Sequence, residues 1–264
     1  ENFPNISNLK RGESCGTSAI CLYSTDTART KASREAFAKG AGLSSAPEES
    51  MPMKGSSELN SANSLKLPVA KCVFNLAKHS WSLLRQSSKM GLGLSVNPIK
   101  GVKNLGDFLD NVSVYAALDQ DVTNTSGQNV LTLKDYNKIT PIANSCWAAV
   151  YKSKLLLAKA NGSNVLSNFL GKNMQVSYAD KKMRYNLFSM HDSNVASVMT
   201  LLGYPLSYQP NFAADIRISL SDENPQNICG SGECVEINYY NNANIAKPTQ
   251  SHIMTYSDFL KKLS

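Results

Sequence analysis

The first apolar positions of the chain form a short run followed by a helical repeat. Ser18 to Tyr23 is an apolar run of the length that a buried strand has. Arg29 to Lys39 follows a helical pattern, and Gly40 is a plausible C-cap. One face of this helix is predicted to carry three apolar residues: Ala32, Ala36 and Phe37. A strand that leads directly into a helix is typical of α/β proteins.

The middle of the chain has a different pattern. Residues 44–64 are rich in Ser, Pro and Glu, which predicts a surface loop. Helical periodicity then recurs four times, near residues 70–89, 105–116, 142–160 and 165–183. We therefore expect a helix-rich lid or cap beside a sheet.

Strand patterns return after this block. Tyr185 to Met190 is strand-like, and Asn194 to Leu202 is helix-like. Two further segments alternate with the period of two that a half-buried strand requires: Ala214 to Leu220 and Val235 to Tyr239. Thr255, with Asp258 three residues on, predicts the cap of a final helix that carries Phe259 and Leu260.

Together these elements predict an α/β fold with a mostly parallel sheet flanked by helices. Residues 1–43 and 184–264 form the predicted core, and residues 44–183 form a mainly helical cap region. A chain of 264 residues with 42% hydrophobic composition can bury a core of this size.

Cysteines and glycosylation sequons favour an oxidising compartment. The six cysteines form no CxxC pair, so a structural zinc site is not expected, and Cys229 and Cys234 bracket a turn that a disulfide could close. Four N-x-[ST] sequons accompany them, at Asn5, Asn111, Asn124 and Asn161. We expect a secreted or lysosomal protein.

The charge balance excludes little by itself. A formal net charge of +7 favours anionic ligands, but the basic residues are dispersed, and we expect no nucleic-acid partner. No apolar run approaches the ~18 residues that a membrane span needs. The chain begins at Glu1 without Met or a signal peptide, which indicates a mature product or a fragment.

Two polar segments follow predicted strands directly, where open α/β sheets bind ligands. Ser24-Thr-Asp-Thr-Ala-Arg29-Thr30 places an arginine in the first turn of a helix, where its planar fork can meet a phosphate. The alternative is that Asp26 or Thr25 caps the helix and Arg29 is merely solvated.

The second segment is His191-Asp192, between the strand that ends at Met190 and a helix. A histidine there can bind a phosphoryl oxygen, and the neighbouring carboxyl can protonate a leaving oxygen. The alternative is that Asp192 caps the helix and His191 packs.

Taken together, the two segments resemble motifs of the histidine acid phosphatase family. Ser24-Thr-Asp-x-x-Arg-Thr30, continuing through Ser33, Phe37 and Gly40-Ala-Gly-Leu43, resembles the family's Ser-Thr-Asp motif and its helix. His191-Asp192-Ser193, with the following Leu201-Leu-Gly203 and Pro205, resembles the family's C-terminal His-Asp motif. Three later segments also agree with the family pattern: Phe212 to Arg217, Glu236 to Asn241 and Tyr256 to Leu263. The resemblance covers residues 18–264 and is thin in the helical middle.

The resemblance implies a phosphoglycerate-mutase-like fold and hydrolysis of phosphate monoesters through a phosphohistidine. By motif, Arg29 and His191 would bind phosphate and Asp192 would be the proton donor. Acidic pH would favour the cationic form of His191, because free histidine titrates near ~6.5. The His-Asp pair resembles the lysosomal and prostatic-type branch more than the phytase-like branches.

The nucleophile of that family, in an Arg-His-Gly-x-Arg motif on an upstream strand, has no counterpart here. The three histidines are His79, His191 and His252, and none lies between Arg and Gly. His79 falls in a helical pattern and His252 near the C-terminus. Three explanations remain open: an N-terminally incomplete enzyme, a shortened paralogue that binds phosphate without turnover, or a nucleophile supplied by a second chain. Loss of the first strand would remove a central member of the parallel sheet and reduce stability.

Two functions therefore compete. One is an acid phosphatase acting on small phosphomonoesters, without cofactor or metal, with a homodimer left open. The other is a catalytically inactive phosphate-binding or interaction glycoprotein of the same fold.

Overall fold

In the computed structural model, the described part of the chain contains a three-stranded parallel sheet, a three-stranded antiparallel sheet, a two-stranded antiparallel sheet and three helices. The structure describes residues 14–15, 18–51, 185–221, 228–230, 232–242 and 246–263, with a few positions between 114 and 144. The elements in chain order are β1 (Ile20–Thr25), α1 (Ala28–Gly40), β2 (Glu48–Met51), β3 (Val122–Thr123), β4 (Asn129–Leu131), β5 (Tyr185–Ser189), α2 (Asp192–Leu201), β6 (Asp215–Ser221), β7 (Cys234–Tyr240), β8 (Gln250–Thr255) and α3 (Tyr256–Leu263).

The parallel sheet has the strand order β2-β1-β5, and both neighbours run parallel to β1. Every residue of β1 is buried, as expected for a strand covered on both faces. Tyr23 stacks on Phe188 of β5, with ring centroids 4.9 Å apart. A small apolar cluster contacts this sheet: Ile20, Leu22, Ala38, Leu43 and Ala46. The predicted strand at 18–23 is thus confirmed, two residues later in the chain.

The antiparallel sheet has the order β6-β7-β8, and α2 and α3 pack against it. Alternate residues of β7 enter the core, among them Val235, Ile237 and Tyr239. Phe259 of α3 is fully buried beside them. The predicted cap of α3 is confirmed, because Thr255 Oγ1 accepts the backbone N–H of Asp258 at 3.1 Å.

The buried face of α1 differs from the prediction. Ala32, Ala36 and Phe37 are exposed, and the buried positions are Thr30, Arg34 and Ala38. Polar side chains can occupy this buried face because groups at the edge of the sheet form hydrogen bonds and an ion pair with them. The Arg34 guanidinium lies 3.0 Å from Ser24 Oγ and 2.5 Å from a Glu48 carboxylate oxygen.

The C-terminus of α1 also lies later than predicted. The helix includes Gly40 and ends on Ala41 as its C-cap. The left-handed residue is Gly42, with φ of 70°. Leu43 N–H returns to the Ala38 carbonyl at 2.7 Å, so the chain leaves the helix through a glycine-dependent turn.

Four strands lie where none was predicted: β2, β3, β4 and β8. β2 falls within the segment that the composition predicts as a loop, and β8 precedes the last helix. The predicted strands at 214–220 and 235–239 are present, but they belong to the antiparallel sheet. Among the described residues, only β2, β1 and β5 form the parallel sheet that was expected. The helical patterns at 70–89 and 165–183 lie outside the described residues, and those at 105–116 and 142–160 are described only at Val114 and Asn144, both helical. Within that region the structure describes the short antiparallel pair β3–β4.

Two disulfides lie in the described part of the chain, Cys15–Cys21 and Cys229–Cys234. The second closes the turn before β7, as the cysteine spacing suggested. The four sequons lie outside the described residues. Across the described ranges, we find no helix long and apolar enough to span a bilayer.

Candidate functional site

The predicted site residues come together at the carboxyl edge of the parallel sheet. Ser24 of β1 pairs in register with Ser189 of β5, so the two strands end side by side. Helix α1 begins three residues after β1 ends, and α2 begins three residues after β5 ends. Both helix N-termini therefore lie at the edge where α/β sheets bind ligands.

His191 is held from both sides of its ring. Its Nδ1 lies 3.0 Å from Nη2 of Arg29, and its Nε2 lies 3.1 Å from Oγ1 of Thr25. The structure thereby brings Arg29 and His191, which are 162 positions apart in sequence, into direct hydrogen-bond contact.

These two contacts determine the tautomer of His191. A guanidinium can only donate, so Nδ1 is the acceptor and the proton of the neutral ring is on Nε2. Thr25 Oγ1 accepts a hydrogen bond from this Nε2–H and can donate its own hydrogen bond to Thr30 Oγ1 at 2.8 Å. Thr30 in turn donates to the carbonyl oxygen of Thr25 at 2.8 Å. The buried threonine pair thus orients a neutral His191 toward Arg29.

The environment of His191 opposes its protonation. Burial lowers the pKa of the imidazole, and the positive charge of Arg29 lowers that pKa further. The carboxylate of Asp192 acts in the opposite direction and raises the pKa of His191, without reversing the net effect.

Asp192, half-buried, accepts one hydrogen bond on each carboxylate oxygen. The backbone N–H of Ser193 donates to Oδ1 at 2.7 Å. The side-chain amide of Gln209 donates to Oδ2 at 2.6 Å. The carboxyl group therefore has a defined orientation beside His191.

Arg29 lies in the first turn of α1 and gives the N-terminus of this helix a positive charge. The first turn of α1 has no acidic residue. Lys31 forms an ion pair with Asp26 across the turn that precedes the helix. Arg29 itself is exposed, so its guanidinium is reachable from solvent. A helix N-terminus that carries such a cation favours an anion.

The capping alternatives considered for the two segments are wrong in detail. Thr27 is the N-cap of α1, and neither Thr25 nor Asp26 occupies that position. His191 is the N-cap of α2, and Asp192 is its first helical residue. Asn194 accepts the His191 backbone N–H on its Oδ1 at 3.1 Å, which leaves the Asp192 carboxyl available for other contacts.

The other histidines do not join this site in the described residues. His252 is on β8 of the antiparallel sheet, where its ring stacks on Tyr204 with centroids 3.4 Å apart. His79 lies outside the described residues. Among the residues that the structure describes, no group of three or more His, Cys, Asp or Glu is placed to hold a metal ion.

Sequence reasoning included Thr30 in the first segment without giving it a role, and it missed Gln209. Thr30 lies on the buried face of α1, but its side chain is polar. A search for apolar periodicity therefore does not identify it. Gln209 lies in the loop after α2, next to Pro210, in a stretch without periodicity. Its contact with Asp192 depends on the path of that loop, which the sequence does not signal.

No family model and no curated protein matches the chain. Among solved structures, the chain is similar to a phytase from Klebsiella sp. ASR1, at 11% identity, with a TM-score of 0.38 over 94% of this chain and 76% of that one. A likeness this slight supports neither a fold nor an activity.

Proposed function

We propose that the chain belongs to an acid phosphatase-type enzyme that hydrolyses small phosphate monoesters, with Arg29 and His191 binding phosphate and Asp192 donating the proton. The observation that carries this proposal is the contact of Arg29 with His191, at 3.0 Å, on the carboxyl edge of two adjacent parallel strands. The order and content of the two segments agree with the histidine acid phosphatase motifs that they resemble.

Arg29 supplies the charge that a phosphate group needs. Its fork can present two N–H groups to phosphate oxygens, and the N–H groups of the α1 first turn add to the same field. In the transition state of phosphoryl transfer, charge spreads over the equatorial oxygens, where such donors stabilise it.

Asp192 is suited to the leaving-group side. Its two carboxylate oxygens are each fixed by one donor, Ser193 N–H and the Gln209 amide, and each retains a lone pair. A proton carried there can pass to the leaving alkoxide as the P–O bond breaks.

In the family that the motifs resemble, a histidine attacks phosphorus. Neither described histidine fits that role. Both ring nitrogens of His191 are engaged, and His252 lies on the other sheet. This observation favours the second candidate function, a phosphate-binding glycoprotein without turnover. The two described disulfides are compatible with the secreted or lysosomal setting that we propose.

Hydrolysis of p-nitrophenyl phosphate at about pH 5 tests the proposal, with Arg29→Ala and Asp192→Ala as variants. Lys39→Ala, an exposed cation in the last turn of the same helix, is the matched control for Arg29. We expect turnover that Arg29→Ala abolishes, that Asp192→Ala slows, and that the control retains.

Binding of inorganic phosphate is measured in parallel. Phosphate binding that depends on Arg29, without hydrolysis by the unaltered chain, would establish the second candidate instead. A chain that neither hydrolyses the ester nor binds phosphate would overturn both candidates.

A further inference from the structure

We propose that Gln209 is a positioning residue, which holds the carboxyl group of Asp192 in line with the leaving oxygen. This inference rests on the proposed function. Its direct basis is the hydrogen bond of 2.6 Å from the Gln209 side-chain amide to Oδ2 of Asp192. Because Ser193 N–H already holds Oδ1, Gln209 is the contact that fixes the rotation of the carboxyl plane.

The loop that carries Gln209 is itself anchored on both sides. Before it, Tyr208 packs against the buried cluster that contains Tyr239. After it, Pro210 is buried, and the backbone N–H of Asn211 donates to Oδ1 of Asn241 at 3.1 Å. Tyr239 is fully buried, and its hydroxyl also donates to that oxygen, at 2.7 Å.

A further contact comes from the middle of the chain. Oδ1 of Asn144 accepts the backbone N–H of Gln209 at 3.2 Å. The main chain at Gln209 is thus bonded to a residue that lies far away in sequence. The amide reaches Asp192 from a segment whose backbone is hydrogen-bonded at two points, Gln209 and Asn211, which is the support that a precisely placed side chain requires.

The chemical consequence concerns the proton of Asp192. When the P–O bond breaks, its electron pair goes to the leaving oxygen, which takes the proton from the carboxyl group. The phosphoryl group passes to the attacking nucleophile, for which the described residues offer no imidazole, and water is its final acceptor, giving inorganic phosphate. Asp192 becomes a carboxylate, and the Gln209 N–H stabilises the negative charge that develops on Oδ2.

This role makes the effect of Gln209 depend on the leaving group. A basic alkoxide needs the proton as it departs, whereas p-nitrophenolate departs without much help. Loss of the Gln209 donor should therefore slow hydrolysis of an alkyl phosphate more than hydrolysis of an aryl phosphate. A purely structural role would slow both equally.

The experiment compares glycerol 2-phosphate with p-nitrophenyl phosphate in the full chain. Gln209→Met keeps the length and removes the donor, and Gln209→Asn keeps the amide but shortens its reach. Ser207→Ala, at an exposed position of the same loop, is the matched control. The quantity measured is kcat/KM, because it reports the steps up to the first bond cleavage and excludes phosphoenzyme breakdown.

For Gln209→Met we expect the alkyl-to-aryl ratio of kcat/KM to fall about tenfold, a part of the 10²–10⁴ that general acid catalysis contributes. Gln209→Asn should give the same direction, and Ser207→Ala should leave the ratio unchanged. In an Asp192→Asn background the Gln209→Met substitution should have no further effect on the ratio, because the two residues act as one unit.

The outcomes separate the two proposals. If the unaltered chain hydrolyses both esters and Gln209→Met lowers both equally, or lowers neither, the positioning role is overturned and the proposed function stands. If the unaltered chain hydrolyses neither ester, the proposed function fails and the positioning role fails with it.

Discussion

The guanidinium of Arg29 donates to the imidazole of His191, with Nη2 3.0 Å from Nδ1. Thr25 holds the opposite ring nitrogen at 3.1 Å, so both ring nitrogens are engaged within the protein. An anion that binds between Arg29 and His191 must therefore replace the hydrogen bond that joins them. The exchange also changes the protonation of the ring, because a cation next to Nδ1 is replaced by a negative charge.

We expect anion binding to be accompanied by proton uptake at His191. Burial and Arg29 lower the pKa of the free imidazole, and a bound anion opposes the influence of Arg29. Calorimetry with inorganic sulfate at about pH 6.5, in buffers of different ionisation enthalpy, measures the uptake without titration of the ligand itself. His191→Asn should abolish the buffer dependence, and His252→Asn should retain it. A binding heat that is the same in every buffer would contradict this expectation.

The stability of the chain without a bound anion should fall on acidification, in part through His191. Its pKa is lowered in the folded state, so the unfolded chain binds more protons and stability is lost as the pH falls below the unfolded value, ~6.5. Burial and Lys262 lower the pKa of His252 in the same direction. We expect His191→Asn and His252→Asn each to reduce the drop in melting temperature between pH 7.5 and 5. If the drop is unchanged in both variants, neither histidine has a lowered pKa in the folded chain.

Thr25→Val should weaken both the fold and anion binding. The side chain is fully buried, and its hydroxyl accepts the His191 ring N–H, so valine leaves that donor without its partner. The expected loss of unfolding free energy is about 1–3 kcal/mol, and sulfate binding should weaken as the ring loses its orientation. Thr27→Val is the matched control, because the Thr27 hydroxyl contacts Thr30 and has no described contact with His191. Equal sulfate affinity in the two variants would exclude an orienting role for Thr25.

The buried ion pair of Arg34 with Glu48 joins α1 to β2 near the site, and its loss should reduce stability. Its side chain is 6% exposed and pairs with Glu48, whose side chain is 38% exposed. Removing the carboxylate leaves a buried cation, whereas methionine in place of arginine leaves a carboxylate that can turn toward water. Glu48→Ala should therefore cost about 2 kcal/mol or more in urea unfolding, and Arg34→Met should cost less. Asp26→Asn, at an exposed ion pair with Lys31, should change stability by less than ~1 kcal/mol. A greater loss in Arg34→Met than in Glu48→Ala would show that the buried cation tolerates the loss of its partner.

Elements with strong apolar patterns were predictable from the sequence. β1 is a continuous buried run, and β6 and β7 alternate, as half-covered strands do. β2 was not predictable, because Glu48-Glu-Ser-Met51 lacks both patterns and forms a strand through its pairing with β1. β8 is likewise a mixed sequence whose strand conformation depends on pairing with β7.

The site was predictable where polar residues follow a recognisable strand. Arg29, His191 and Asp192 all lie just beyond β1 or β5 in sequence, so their placement at one edge follows from the parallel sheet. The hydrogen-bond partners of these three residues were harder to predict from the sequence. Thr30 supports the site from a helix face that apolar periodicity assigns to solvent. Gln209 arrives on a loop whose course is determined by tertiary contacts.

The pairing of β1 with β5 also has a kinetic consequence. It joins residues such as Thr25 and His191, which are 166 positions apart, so closing this contact requires the ordering of a long intervening chain. Contacts of such separation form slowly, and the anion site is complete only after they have formed. A bound anion therefore selects chains in which this late step has occurred, and added phosphate should slow unfolding through the opening of this one strand pair.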